Sequence, residues 1–123
     1  MLNKEKKFEI KEMVENVVNR HKSNDPMKII KDMNITIGDT HCFVKHESLS
    51  AIYDKKIVLF INSKLKSERY YYRLAHELGH IILHCVDCNH GYTYRRKSFN
   101  HNISDYEADY FANELLDYQE ATA

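Results

Sequence analysis

Residues 69 to 84 read Arg69-Tyr70-Tyr71-Tyr72-Arg73-Leu74-Ala75-His76-Glu77-Leu78-Gly79-His80-Ile81-Ile82-Leu83-His84. Tyr71, Leu74, Ala75, Leu78, Ile81 and Ile82 recur at helical spacing, so the segment from Ser67, a candidate N-cap, to about His84 is predicted as a helix. Inside it stands the pattern His-Glu-x-x-His. At about 3.6 residues per turn, His76 and His80 lie one above the other on one face, where two imidazoles can reach a single tetrahedral metal ion. Glu77 projects roughly 100° further round the axis, placed to hold and deprotonate a water as a general base. A chain of this length with 8 His would show on the order of 0.04 such matches by chance. The pattern therefore points to zinc chemistry with Glu77 as the catalytic residue.

Working outward, Lys56-Ile57-Val58-Leu59-Phe60-Ile61-Asn62 is the strongest strand, dominated by β-branched and aromatic residues that allow both faces to be covered. At the N-terminal end, Phe8, Ile10, Met13, Val14, Val17 and Val18 give an amphipathic helix from Lys4 to about Arg20. Asp25-Pro26 opens a second, short helix that ends near Asn34. Ile35, Ile37, Phe43, Val44, Ile52 and Tyr53 fall in short strands, broken by turns at Gly38-Asp39 and Asp54-Lys55-Lys56. Cys85 to Asn102 lacks apolar periodicity and reads as a loop. Ser104-Asp105-Tyr106-Glu107 is a capping box opening a last helix, whose apolar side is Ala108, Phe111, Ala112, Leu115 and Leu116. The expected class is α+β, with a small sheet against the central helix.

The chain has 123 residues and 14.6 kDa, the size of one domain spanning residues 1–123. Its 43% hydrophobic and 29% charged residues suit a packed core and not a disordered chain. With 18 Lys+Arg against 18 Asp+Glu, no net field draws it to nucleic acid or to an anionic membrane. No apolar run approaches the ~20 residues needed to span a bilayer, and the N-terminus shows no secretory signal. Three cysteines, Cys42, Cys85 and Cys88, are too few for a disulfide framework, and the expected location is the cytoplasm.

Two histidines do not complete a catalytic zinc site, which takes three protein ligands and leaves one position open. A metzincin-type third histidine does not follow His80. The pool is His84, Cys85, Cys88, His90, His101, Asp105, Glu107 and Asp109. On the last helix Asp105 lies about 50° from the apolar direction and Glu107 about 110° away, with Glu107 also placed as the capping-box partner of Ser104. Asp105 is the better third ligand. Asp109, one turn on, is placed to accept a hydrogen bond from a ligating histidine.

With these residues in view, the chain resembles the ImmA/IrrE-like family of zinc metallopeptidases of phage, mobile elements and bacteria. The resemblance lies in residues 69–84 and in Asp105-Tyr106-Glu107-Ala108-Asp109-Tyr110-Phe111-Ala112-Asn113-Glu114-Leu115-Leu116, similar to the family's second signature. It implies a zincin-like, gluzincin-type domain, His76 and His80 as Zn2+ ligands, Glu77 as general base, and Asp105 where the family usually has glutamate. Aspartate is one methylene shorter, so either the helix comes closer or Glu107 is the third ligand. The resemblance also implies an intracellular endopeptidase that inactivates a helix-turn-helix repressor; the strand Lys56 to Asn62 is expected to align an extended peptide. The rival is a non-proteolytic antirepressor that binds the same repressor with zinc only structural. A DNA-binding role is disfavoured by the neutral charge.

Cys85-Val86-Asp87-Cys88 with His84 and His90 reads as free thiols in a loop in preference to a second zinc site. Arg95-Arg96-Lys97, among Tyr92, Tyr94 and Phe99, reads as a solvated loop and not as a nucleic-acid patch. His84 is expected to pack behind the site, not to ligate.

Overall fold

Asn3 starts the first helix by accepting the Lys6 backbone N–H on its side chain at 2.8 Å, and helix α1 (Lys4–His21) ends where Lys22 turns into the left-handed region. Ile10, Val14 and Val18 form its buried stripe; Phe8, placed on the same side by its spacing, is 61% exposed. Asp25 caps helix α2 (Pro26–Asp32) through the Met27 N–H, with Pro26 in the first turn as its fixed φ favours. The computed structural model describes residues 2–39, 47–53, 56–84 and 101–118. Phe43, Val44, the three cysteines, His90 and the basic loop residues 95–97 lie outside the described residues.

The sheet is small and mixed, with strands β1 (Thr36–Asp39), β2 (Ser48–Tyr53) and β3 (Lys56–Ile61) in the order β1-β3-β2. β1 runs parallel to β3, Thr36 opposite Val58, and β2 runs antiparallel to it, Ser48 opposite Ile61 and Tyr53 opposite Lys56. The sequence reading needs two corrections here. Gly38-Asp39 is not a turn but the end of β1. The Phe60 ring lies where a side chain at residue 38 would go, 2.8 Å from the place of its Cβ, so a glycine in the strand makes room for an aromatic neighbour. Asp39 accepts from Ser63 N–H and Oγ–H at 3.0 and 2.6 Å, tying the end of β1 to the turn that follows β3. Second, β3 is not covered on both faces. Leu59 and Ile61 are buried against the helices, whereas Lys56 is exposed and Val58 and Phe60 are half-exposed on the other side.

Helix α3 (Ser67–His84) packs on β2 and β3, and helix α4 (His101–Leu116) packs on α3 and α1. α3 begins at Ser67, the Tyr70 N–H bonding the Lys66 carbonyl, so the cap falls one residue before the expected Ser67. Leu74 to Ile81 is buried on every side, because β2 and β3, α2 and α4 each cover part of the helix surface. The core joins Ile10 and Val14 of α1, Ile29 and Ile30 of α2, Leu59 and Ile61, Leu74 and Leu78, and Phe111 and Leu115 of α4. The architecture is α+β. No helix among the described residues is long and apolar enough to cross a membrane.

α3 and α4 approach closely at Gly79, where an added Cβ would stand 3.1 Å from Phe111 Cδ1 and 3.2 Å from its Cβ. Phe111 is fully buried in the core, so it can yield only by displacing close-packed neighbours. Gly79→Val should therefore lower stability by about 1–3 kcal/mol despite the gain in backbone rigidity. Urea denaturation measures this; an unchanged midpoint would show that the close approach is not limiting.

Candidate metal centre

The close contact of α3 with α4 places one carboxylate beside the two motif histidines. His76 and His80 are almost wholly buried, as expected for a ring packed between two helices. Their Nε2 atoms stand 3.1 Å apart; Asp105 Oδ1 is 3.1 Å from His80 Nε2 and 3.8 Å from His76 Nε2. One ligand atom from each of the three falls within 4.8 Å of the others. A tetrahedral zinc ion with bonds near 2.0–2.1 Å keeps neighbouring donors about 3.3 Å apart. The two imidazoles and the carboxylate thus fit one ion, with room for a fourth ligand.

Each histidine is backed by a further group. Asp109 Oδ1 lies 2.8 Å from His76 Nδ1, as the sequence suggested, and also accepts the Tyr72 hydroxyl proton at 2.5 Å. A proton on His76 Nδ1 leaves the Nε2 lone pair toward the centre. Burial, helped by the Arg73 guanidinium, holds His76 below the ordinary imidazole range despite the opposing pull of Glu77 and Asp109, so it is neutral and fit to ligate. Burial and the bond to Asp109 push the Tyr72 phenol well up, so Tyr72 stays a donor. His84 sits behind His80, as expected, with their Nδ1 atoms 3.0 Å apart.

Glu77 is fully buried and faces β2. Its Oε2 accepts from Ser48 Oγ–H at 2.7 Å and pairs with Arg73 at 3.3 Å, while Arg73 Nε–H also donates to Ser48 at 2.7 Å. Oε1 has no partner among the described residues. One oxygen is anchored and the other left open, and a buried carboxylate oxygen without a donor is a costly feature that a proton-bearing ligand would relieve.

The capping-box reading does not hold. α4 begins at His101, so Ser104 lies inside the first turn and is buried, and Glu107 turns to His84 Nε2 at 2.7 Å. Tertiary contact with α3 outweighs the local capping preference. Of the two carboxylates left open by the sequence, Asp105 is the one beside both histidines. Ser48, Arg73 and Tyr72 were not singled out as site residues from the sequence. Ser48 and Arg73 depend on the register of β2 against α3, and for Tyr72 the triple tyrosine offered no way to choose.

The Peptidase_M78 family model, described as the IrrE N-terminal-like domain, matches residues 26–121. The chain belongs to this family. No curated protein and no solved structure matches it significantly. The matched span of the IrrE N-terminal-like domain takes in α2, the sheet, α3 and α4, and so every residue of the centre, while α1 precedes it. Membership implies a peptidase of metallopeptidase type.

Proposed function

We propose that this protein is a cytoplasmic zinc endopeptidase of zincin-like design, with His76, His80 and Asp105 holding the metal and Glu77 as general base. The convergence of the two Nε2 atoms and Asp105 Oδ1 at tetrahedral spacing carries this reading. Zn2+, when bound, supplies the Lewis acidity that polarises a peptide carbonyl and makes water a nucleophile near neutral pH. Glu77, held at Oε2 by Ser48 and Arg73, takes the water proton at its open Oε1 and delivers it to the leaving amine. The rigid anchor keeps that oxygen oriented through both transfers.

Peptide alignment by β3 is ruled out by the sheet order: β3 is paired on both sides, and only β1 and β2 are edges among the described residues. β2 carries Ser48, which bonds the proposed base, and its outer edge is the better place for an extended substrate. The proposed substrate is a helix-turn-helix repressor, on the resemblance described above. Incubating the zinc-loaded protein with candidate helix-turn-helix repressors from the same genome tests both parts. Substoichiometric enzyme should convert the repressor to discrete fragments. A stable one-to-one complex with intact repressor would replace hydrolysis by the antirepressor reading.

A further inference from the structure

His84 lies outside the five-residue motif, yet His80 rests on it. His80 Nδ1 and His84 Nδ1 are 3.0 Å apart, and His84 Nε2 is 2.7 Å from Glu107 Oε1. The side chains of His84 and Glu107 are only 13% and 15% exposed, so water is a poor substitute for either bond. The space between the two Nδ1 atoms holds one proton. If a neutral His84 owns it, its Nε2 lone pair faces the Glu107 carboxylate at 2.7 Å with no proton between, and His80 carries its proton on Nε2, toward His76 and Asp105. If His80 owns it, His84 accepts at Nδ1 and donates Nε2–H to Glu107, and the His80 Nε2 lone pair is left with that of His76 and the Asp105 carboxylate to face a cation, which satisfies the remaining groups.

We infer that His84 and Glu107 are a positioning pair that fixes His80 as the Nδ1–H tautomer and so presents its Nε2 lone pair to the metal. The inference rests on the metal site proposed above. His76 obtains the same service directly from Asp109; His80 obtains it through an interposed imidazole. The second oxygen of Glu107 has Lys6 Nζ of α1 at 4.0 Å, which ties the relay to a helix that precedes the family match.

Two readouts test this in zinc-loaded and zinc-titrated protein. Two-bond 1H–15N correlation of the histidine rings should show His84 as the Nε2–H tautomer in the zinc-loaded wild type and as a mixture in Glu107→Ala. Chelator competition should show Zn2+ affinity weakened about 10–100-fold in Glu107→Ala and His84→Ala, with both variants still folded by circular dichroism. His84→Asn, whose Oδ1 can accept in place of the ring Nδ1, should recover part of the loss. His84 protonated at Nδ1 and not at Nε2 in the zinc-loaded wild type, or Glu107→Ala within twofold of wild-type affinity, overturns the positioning pair. A wild type that binds no Zn2+ overturns the metal site and the pair together.

Discussion

Zinc should fall from about one ion per chain to none when His80 is replaced by alanine, because two remaining donors cannot hold an ion that the proposed site would grip with three. His80 is the strongest place to test the centre: its Nε2 is 3.1 Å from both His76 Nε2 and Asp105 Oδ1. The ring is wholly buried, so circular dichroism must first show that the variant keeps its helices. Asp105→Ala provides the cleaner companion. That side chain is 46% exposed, its removal opens no core cavity, and zinc should again be lost. Glu107→Ala, in contrast, should still take up one ion at saturating zinc, because Glu107 touches His84 and not the donor cluster. Metal content measured by atomic absorption after dialysis separates these outcomes. Zinc undiminished in His80→Ala would reduce His76-Glu77-Leu78-Gly79-His80 to an ordinary helical segment, and the peptidase mechanism would go with it.

Replacing Glu77 with glutamine should leave zinc in place and lower cleavage by about 10²–10⁴-fold, the range for removing a positioned general base. Glutamine is the informative choice. It keeps an oxygen able to accept from Ser48 and Arg73, whereas alanine would strand the Arg73 guanidinium and the Ser48 hydroxyl beside an empty volume. Arg73 also has Glu47 at 3.9 Å and is itself 17% exposed, so losing the Glu77 charge does not leave it uncompensated. The expected signature is a large fall in kcat with metal content and melting temperature near wild type. Full cleavage by Glu77→Gln would overturn the mechanism while leaving the metal site standing.

The helical parts of this arrangement were legible because they are local. The four-residue spacing of His76 and His80 places both imidazoles on one face of any α-helix, and the apolar residues of 104–116 fix which side of the last helix turns inward, favouring Asp105 over Glu107. Asp25-Pro26 likewise announced its helix through chemistry confined to three residues. The errors came where a local preference met a tertiary partner. Ser104 and Glu107 satisfy a capping pattern on paper, but α4 extends back to His101, and the half-buried His84 offers Glu107 a better bond than a helix-end N–H. Gly38-Asp39 looks like a turn until β3 supplies a ladder partner and Phe60 a ring to fill the missing side chain.

By itself the sequence determined the four helices and the strand Lys56–Ile61, the placing of His76, Glu77 and His80 on one helix, and membership of a metallopeptidase-type family. Only the tertiary structure decided what those residues meet. The approach of α3 to α4 at Gly79 brings Asp105 to both histidines, and the order β1-β3-β2 sets Ser48 against Glu77 while taking β3 out of reach of a substrate strand. The division has a physical cause. Helix periodicity is set by bonds between residues four apart, whereas the distance between two helices and the neighbour of a strand depend on packing among residues far apart in the chain.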